Sequence, residues 1–244
     1  MKVLSIGNSF SQDAHKWLNK LAAKNGVDMQ TVNLYIGGCN LERHWNNVLE
    51  NKADYSLELN GCKGERKVSM YEALTMDEYD VVTIQQASPL SGRPQSYFPF
   101  LPNIASLVRE KQPKAKVYFF QTWSYETDIV SNSFSVYDCD QREMYRRIVD
   151  ASEMAAKVIN ATLIRGGEVI QTARETLPEF DYKNGGLSLN RDGYHLSFDY
   201  GRFVVAATWF CTLTGKRIVL DSFEDFNMET VRKLLNVVES VVFG

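Results

Sequence analysis

The sequence predicts an α/β fold in which helices cover both faces of a five-stranded, mostly parallel, doubly wound sheet, giving three layers. The alternation of two kinds of segment predicts it. Short apolar runs of strand length alternate along the chain with longer segments whose apolar residues recur at helical spacing. This alternation favours parallel strands joined by right-handed crossovers, which place helices on both faces of the sheet. Because no linker, repeat or low-complexity segment interrupts the pattern, we predict one domain over residues 1–244.

The first half of the chain supplies three of the predicted strands. The first is an apolar run that ends at Gly7, and an amphipathic helix follows it as far as Asn25. The second alternates apolar and polar residues and ends at Gly37-Gly38, and the third is a continuous apolar run. We expect strands at 3–6, 31–36 and 81–84, and helices at about 12–24, 41–49, 70–76 and 100–110.

The second half supplies two more strands, and a hairpin interrupts the first half. Strands are expected at 117–120 and 162–165, and helices at about 141–160, 168–176, 200–213 and 228–241. Residues 52–68 break the alternation, because Tyr55–Leu59 and Lys67–Val68 flank a turn that contains glycine. We expect this hairpin to be an insertion that either overhangs a site or decorates the surface.

The composition excludes several classes of protein. A net charge of -3 and a pI of about 5.7 give no basic surface for nucleic acid, and no apolar run is long enough to cross a membrane. Four widely spaced cysteines and three histidines make a zinc site improbable, so we expect reduced thiols and no metal. The N-terminus lacks the features of a signal peptide, which favours a cytoplasmic location; export with a removed signal is the alternative.

The turn after the first strand carries a candidate nucleophile. Ligands of open α/β sheets bind where strands end and helices begin, and Ser9 lies at such a point. The N–H groups of a helix N-terminus favour the negative charge that forms when a serine attacks a carbonyl. The alternative is that Ser9 or Ser11 only caps the helix, a position that serine favours.

A candidate base lies near the other end of the chain. His195 follows a long loop rich in Gly and Asn, and Asp192 precedes it by three residues. Such a turn can bring the carboxylate to one ring nitrogen and leave the other free to deprotonate a serine. His15, expected on the more polar side of the first helix, and His44 are assigned structural or surface roles. The alternative is a simple turn in which His195 is a capping or buried polar residue.

The order of these motifs resembles the SGNH (GDSL-like) hydrolase superfamily. Gly-Asn-Ser-Phe-Ser follows the first strand, glycine the second and Gln-Gln the third, and Asp-x-x-His comes near the end. More closely, the chain resembles a bacterial branch with these first and third motifs. The resemblance implies a flavodoxin-like SGNH fold and esterase chemistry without a cofactor. It assigns Ser9 as nucleophile, His195 as base, Asp192 as the acid that orients it, and the N–H groups of Ser9 and Gly38 as oxyanion donors, with Gly37 as the alternative to Gly38.

The sequence departs from the superfamily pattern at two motifs. Asn8 replaces the aspartate before the nucleophile and Phe10 replaces a leucine, while Gln85-Gln86-Ala87-Ser88 stands where the superfamily has Gly-x-Asn-Asp. A glutamine amide can donate as an asparagine amide does. Because neighbouring strand residues point to opposite faces, only one glutamine is expected in the oxyanion hole, and we favour Gln86 with Gln85 as the alternative. The alternative is that both glutamine side chains only form hydrogen bonds with backbone groups at the end of the strand.

The resemblance makes a small acyl ester, such as an acetyl group on a carbohydrate, the expected substrate. Gln85 and several aromatic side chains are candidate substrate contacts, with core or loop packing as the alternative for the rings: Trp123, Tyr125, Tyr97 and Phe98. The competing hypothesis is a non-catalytic carbohydrate- or nucleotide-binding protein on the same fold. A flavodoxin-like phosphate binder at the turn 8–11 ranks last, because the turn is not a glycine-rich phosphate loop.

Overall fold

The computed structural model describes residues 1–244 and contains one seven-stranded sheet. The strands are β1 (Lys2–Gly7), β2 (Gln30–Tyr35), β3 (Tyr55–Leu59), β4 (Lys67–Val68), β5 (Val81–Ile84), β6 (Lys116–Phe120) and β7 (Thr162–Ile164). Their order across the sheet is β4-β3-β2-β1-β5-β6-β7. The five strands β2-β1-β5-β6-β7 run parallel, as predicted for a flavodoxin-like doubly wound sheet.

The predicted count of five strands is too low, because the hairpin at residues 52–68 joins the sheet. Its first strand, β3, pairs antiparallel with β2, with Leu57 opposite Leu34, and β4 pairs antiparallel with β3. Without this hairpin β2 would be an edge strand with unpaired backbone N–H and C=O groups. The insertion therefore extends the sheet at the β2 edge.

Nine helices complete the fold. They are α1 (Ser9–Lys24), α2 (Leu41–Leu49), α3 (Met70–Thr75), α4 (Phe100–Lys111), α5 (Asn132–Ser135), α6 (Gln141–Val158), α7 (Gly166–Thr176), α8 (Tyr200–Thr214) and α9 (Met228–Phe243). Two apolar cores, one on each face of the sheet, give the three predicted layers. Helices α1, α7, α8 and α9 contribute to the core that contains Val3, and α2, α3 and α4 to the core that contains Leu4 and Ile6.

Helix α8 is apolar on nearly all sides because other helices surround it. It packs against α1, α7 and α9, and eleven of its fifteen residues are buried. A helix buried in this way has no solvent-facing stripe for polar residues. No helix of the structure combines the length and the apolar character needed to cross a lipid bilayer.

His15 lies in the core under α1, and the expectation that it occupies the polar side of that helix is wrong. Its Nε2 is 2.8 Å from Ser5 Oγ on β1, and Thr83 of β5 donates to the same oxygen at 2.8 Å. Burial lowers the pKa of His15 to about 3, so the ring is neutral. Ser5 lies on the strand that precedes α1 and Thr83 lies on β5, and the helical pattern alone could not show that His15 packs against them.

The fold places the β1 exit at the point where the strand order reverses. The chain passes from β1 to β2 on one side, and later places β5 on the other side of β1. In open α/β sheets, the crevice at the carboxyl ends of the strands beside such a reversal is the usual ligand site. Ser9, the first residue of α1, lies there.

Candidate active site

Asn8 fixes the turn that presents Ser9. Its side-chain oxygen accepts the N–H of Phe10 at 3.0 Å, and Ser11 Oγ accepts the N–H of Asn8 at 3.1 Å, which closes a capping box. Gly7 has no room for a side chain, because a Cβ there would collide with Ser11. Ser9 is therefore the first helical residue of α1, a position whose N–H has no partner within the helix.

The structure brings together the three residues predicted for the catalytic triad. Ser9 Oγ and His195 Nε2 are 2.9 Å apart although 186 residues separate them in sequence. His195 Nδ1 is 2.8 Å from Asp192 Oδ2, and the other oxygen of Asp192 accepts the backbone N–H of His195 at 2.7 Å. The carboxylate therefore closes the turn and orients the ring. This arrangement can transfer a proton from the serine to the histidine.

The electrostatics of Asp192 suit this arrangement. Partial burial acts to raise the pKa of Asp192, but hydrogen bonds from the ring and backbone N–H of His195 outweigh it. The net effect lowers the pKa of Asp192 below its usual value. The carboxylate is therefore ionised at neutral pH and can stabilise a positive imidazolium.

Two hydrogen bonds from the loop after β6 hold the tip of the 192–195 turn. The indole N–H of Trp123 donates to the Tyr194 carbonyl at 2.7 Å, and the N–H of Glu126 donates to the Gly193 carbonyl at 2.7 Å. Trp123 itself is fully buried, so its ring offers no surface to a substrate. The residue predicted as a candidate substrate contact supports the turn from within the core.

Gly38 presents a backbone donor beside Ser9. Its φ of +62° is a left-handed conformation that favours glycine, and its N–H has no acceptor within the protein. The Asn8 side chain donates to the carbonyl of Cys39 at 3.0 Å, which ties this turn to the Ser9 turn. Gly37 and Gly38 both line the cavity in front of Ser9.

Both glutamine side chains lie outside that cavity and have protein partners. The oxygen of Gln86 accepts the N–H groups of Leu41 and Ala87, at 3.1 and 2.8 Å, and its nitrogen donates to Ser96. The nitrogen of Gln85 donates to the Asn8 side chain at 2.9 Å. Gln86 thus supports the start of α2, and Gln85 supports the cap of α1.

The cavity in front of Ser9 has a volume of about 450 Å³, and no Asp, Glu, Lys or Arg side chain lines it. Three tyrosines and three serines line it with the residues already described: Tyr35, Tyr125, Tyr194, Ser88, Ser131 and Ser133. A larger cavity of about 550 Å³, lined by Met1 and Asp80, lies at the opposite edge of the sheet, far from Ser9. Ser9 and His195 both line the smaller cavity, which is therefore the candidate substrate site.

Sequence reasoning found one of these tyrosines and missed the others. Tyr125 was a candidate and lines the cavity, whereas the candidate Tyr97 is buried and donates to the Ser91 carbonyl, and Phe98 lies outside the cavity. Tyr35 ends β2 and Tyr194 lies inside the Asp-x-x-His motif, so position relative to the motifs could have revealed both.

The remaining polar groups do not form a metal centre. No three His, Cys, Asp or Glu side chains are grouped so that they could hold a metal ion. The four cysteines are free thiols. His44 is buried against Tyr55, and burial lowers the pKa of His44 to about 3.

Comparison with known proteins identifies the family. A family model described as a domain of unknown function, DUF4886, matches residues 2–239. The chain belongs to the DUF4886 family. A DUF4886 family protein from Bacteroides uniformis ATCC 8492 is 35% identical, with a TM-score of 0.92 over all of this chain and 95% of that one. No curated protein matches the sequence.

The DUF4886 chain also shares its fold with SGNH hydrolases. A candidate SGNH hydrolase from Slackia heliotrinireducens is 19% identical, with a TM-score of 0.60 over 87% of this chain and 98% of that one. A variant of an acetyl-xylooligosaccharide esterase from Geobacillus stearmophilus is 13% identical, with a TM-score of 0.56 over 90% and 96%. At these identities the similarity shows the fold alone, and it confirms the predicted SGNH-like fold.

Proposed function

We propose that this protein is a serine ester hydrolase that removes a small acyl group, such as acetyl, from a neutral carbohydrate. One observation carries the proposal: the hydrogen-bonded series Ser9–His195–Asp192 opens into a cavity without charged side chains other than the series itself. A nucleophile, a base and an orienting carboxylate within hydrogen-bond reach are the parts that acyl transfer requires.

The reaction proceeds through an acyl-enzyme. Ser9 Oγ attacks the ester carbonyl carbon while His195 Nε2 accepts the hydroxyl proton, and Asp192 stabilises the resulting imidazolium. When the tetrahedral intermediate collapses, His195 gives this proton to the oxygen of the leaving alcohol. A water molecule then attacks the acyl carbon and gives a proton to His195. The second collapse returns that proton to Ser9 Oγ and releases the carboxylic acid.

The oxyanion of each intermediate needs donors aimed at the cavity. The N–H groups of Ser9 and Gly38 supply two of them in this proposal. The superfamily pattern adds a side-chain donor after the third parallel strand, and Gln86 stays a prediction for that role. Because the amide nitrogen of Gln86 donates to Ser96, we favour Ser88, a residue that lines the cavity at the same strand exit.

Tyr125 supports a donor role for Ser88. The two hydroxyl oxygens are 3.0 Å apart, and either can donate to the other. If Tyr125 donates, the proton of Ser88 is free to point into the cavity. Burial raises the pKa of Tyr125 to about 12, so its phenol keeps the proton that this arrangement needs at neutral pH.

The lining of the cavity supports a neutral substrate with hydroxyl groups. An anionic or cationic substrate would lose hydration on entering a cavity that offers no opposite charge beyond the triad. Tyrosine rings can pack against the apolar faces of a sugar while serine and tyrosine hydroxyls bond its edges. The fold shared with an acetyl-xylooligosaccharide esterase is consistent with this class of substrate.

A fluorophosphonate probe tests the proposed chemistry independently of the natural substrate. We expect one adduct on the parent protein by intact mass, mapping to Ser9, and none on Ser9→Ala or His195→Ala. Hydrolysis rates on acetylated xylose and glucose esters, beside butyryl and octanoyl esters of the same sugars, then test the acyl size. A folded parent protein that forms no adduct but binds the sugars would favour the alternative of a non-catalytic carbohydrate-binding protein.

A further inference from the structure

Asp13 is a second carboxylate near the triad and is fully buried in α1. Its Oδ2 accepts the backbone N–H of Leu196 at 3.0 Å. The guanidinium of Arg191 lies 3.1 Å from both carboxylate oxygens, and Arg202 of α8 donates to Oδ1 at 2.7 Å. A buried charge requires such partners, because an unpaired one would be strongly destabilising.

The contacts of Asp13 reach both ends of the turn that carries the acid and the base. Arg191 immediately precedes Asp192, and Leu196 immediately follows His195. The ends are also joined to each other, because the N–H of Arg191 donates to the His195 carbonyl at 2.9 Å and its guanidinium donates to the Leu196 carbonyl. One carboxylate therefore binds the closed base of the turn.

The same helix carries the nucleophile. Ser9 and Asp13 are four residues apart in α1, and at about 3.6 residues per turn they project from the same side of the helix. A helix is rigid over one turn, so the distance from Ser9 to the Asp13 carboxylate is fixed. A turn attached to that carboxylate is thereby placed at a fixed distance from Ser9.

We propose that Asp13 is a positioning residue that binds the base of the 192–195 turn to the helix carrying Ser9, and so sets the Ser9–His195 separation. The inference rests on the proposed function for its consequence in catalysis. Trp123 and Glu126 hold the tip of the turn independently. Loss of Asp13 should therefore release the base of the turn while the tip remains attached.

Two variants separate positioning from general stability. Asp13→Asn removes the charge that holds Arg191 and weakens the acceptor for Leu196. Arg202→Gln is the matched control, since it disrupts the same buried carboxylate but leaves both contacts to the turn in place. Both variants should lower the midpoint of thermal unfolding, because each removes one partner of a buried ion pair. Only Asp13→Asn should loosen the turn.

Proton NMR of protein labelled with ¹⁵N in histidine can follow the His195 ring in the turn. The spectrum is simple because the chain has only three histidines. We expect Asp13→Asn to broaden or remove the Nδ1–H signal of His195 and to leave His44 unchanged, and Arg202→Gln to retain the His195 signal. Kinetics on the best ester should show a fall in kcat of about 10- to 100-fold for Asp13→Asn with KM changed less than threefold, because small displacements of reacting groups have effects of this order.

Either measurement can overturn the inference. An unchanged His195 signal in Asp13→Asn would contradict it, as would equal losses of kcat in the two variants at equal unfolding midpoints. If the parent protein hydrolyses no ester and forms no probe adduct, the proposed function fails, and the NMR comparison alone decides whether Asp13 positions His195.

Discussion

The indole ring of Trp123 stacks on the ring of Phe10, with centroids 4.2 Å apart and planes inclined by 14°, and its N–H donates to the carbonyl of Tyr194. Phe10 follows the candidate nucleophile and Tyr194 precedes the candidate base. One buried side chain therefore contacts the two segments whose alignment the proposed reaction needs. This explains why a large aromatic residue lies behind the cavity and not at its mouth.

Replacing this indole separates its hydrogen bond from its packing. Trp123→Phe keeps an aromatic ring against Phe10 but leaves the Tyr194 carbonyl without its donor, so we expect a loss of about 1–3 kcal/mol in the free energy of unfolding beyond the loss of packing. We also expect slower reaction of Ser9 with the fluorophosphonate probe. Urea unfolding and the labelling rate measure the two effects.

Trp209→Phe is the matched control, because Trp209 is equally buried but its N–H has no acceptor in the protein. It should lose packing and no hydrogen bond, and its labelling rate should stay close to that of the parent protein. Equal labelling rates in Trp123→Phe and the parent would contradict the role given to the Tyr194 contact.

Gly38 should be required for both its conformation and its N–H. A Cβ at this position meets nothing within 4 Å, so the cost of Gly38→Ala comes from the positive φ of +62° and should be about 1–2 kcal/mol. A strained turn also moves the proposed oxyanion donor, for which we expect kcat to fall by about 10²-fold. Ester hydrolysis and thermal unfolding measure the two outcomes.

Gly26→Ala provides the control for that variant. Gly26 has a φ of +66° and equally open space around a Cβ, but it lies after α1, away from the cavity. It should lose similar stability and retain its activity. If both variants keep full activity, Gly38 does not serve as a donor.

Ser88 should act on catalysis more than on binding. Ser88→Ala removes the hydroxyl that we favour as the third oxyanion donor, so kcat should fall by about 10²-fold with little change in KM. Ser133→Ala, which removes another hydroxyl from the same cavity, should affect KM if it affects the reaction at all. An unchanged kcat in Ser88→Ala would contradict the role given to Ser88, and Gln86 would then be the expected third oxyanion donor.

The pH dependence of unfolding should reveal the Asp192–His195 contact. The pKa of Asp192 is lower in the folded protein than its usual value of 3.8. Its stabilising contribution is therefore complete well above pH 3.8 and is lost as the pH falls through the folded-state pKa. Unfolding midpoints of the parent and Asp192→Asn should differ at pH 6 and converge towards pH 2.

Asp28→Asn is the matched control for the change of charge, because the Asp28 carboxylate is exposed, makes no hydrogen bond or ion pair in the protein, and lies before β2 at the edge of the sheet opposite the cavity. A constant difference between the parent and Asp192→Asn from pH 6 to pH 2 would contradict the assigned contact.

The features that sequence could predict depend on local patterns. Alternating apolar runs and helical periods identify the five parallel strands, and the parallel topology brings the ends of β1, β2 and β5 to one edge. Because the chain has only three histidines, few residues could serve as the base for Ser9, and the Asp-x-x-His motif favours His195. The structure places these two side chains in contact, and their catalytic roles remain proposals.

The features that sequence could not predict depend on tertiary contacts with other elements of the fold. Whether the hairpin at 52–68 joins the sheet depends on the unpaired edge of β2. The direction of the Gln86 amide depends on Leu41 and Ser96, and the burial of His15 depends on two strands. In each case the outcome depends on which hydrogen-bond partner a group finds in the folded protein. Residue type and spacing in the sequence do not determine that partner.

The site combines two segments that lie 186 residues apart in the chain, with Ser9 in the first turn of α1 and His195 before α8. During synthesis on the ribosome, the serine therefore acquires its base only after the intervening residues have been added. A folding intermediate in which the segment from residue 190 onward is undocked would hold an inert serine. The rate of covalent labelling of Ser9 would therefore measure when the segment that carries His195 docks during refolding, since the label should attach only after the two residues have come into contact.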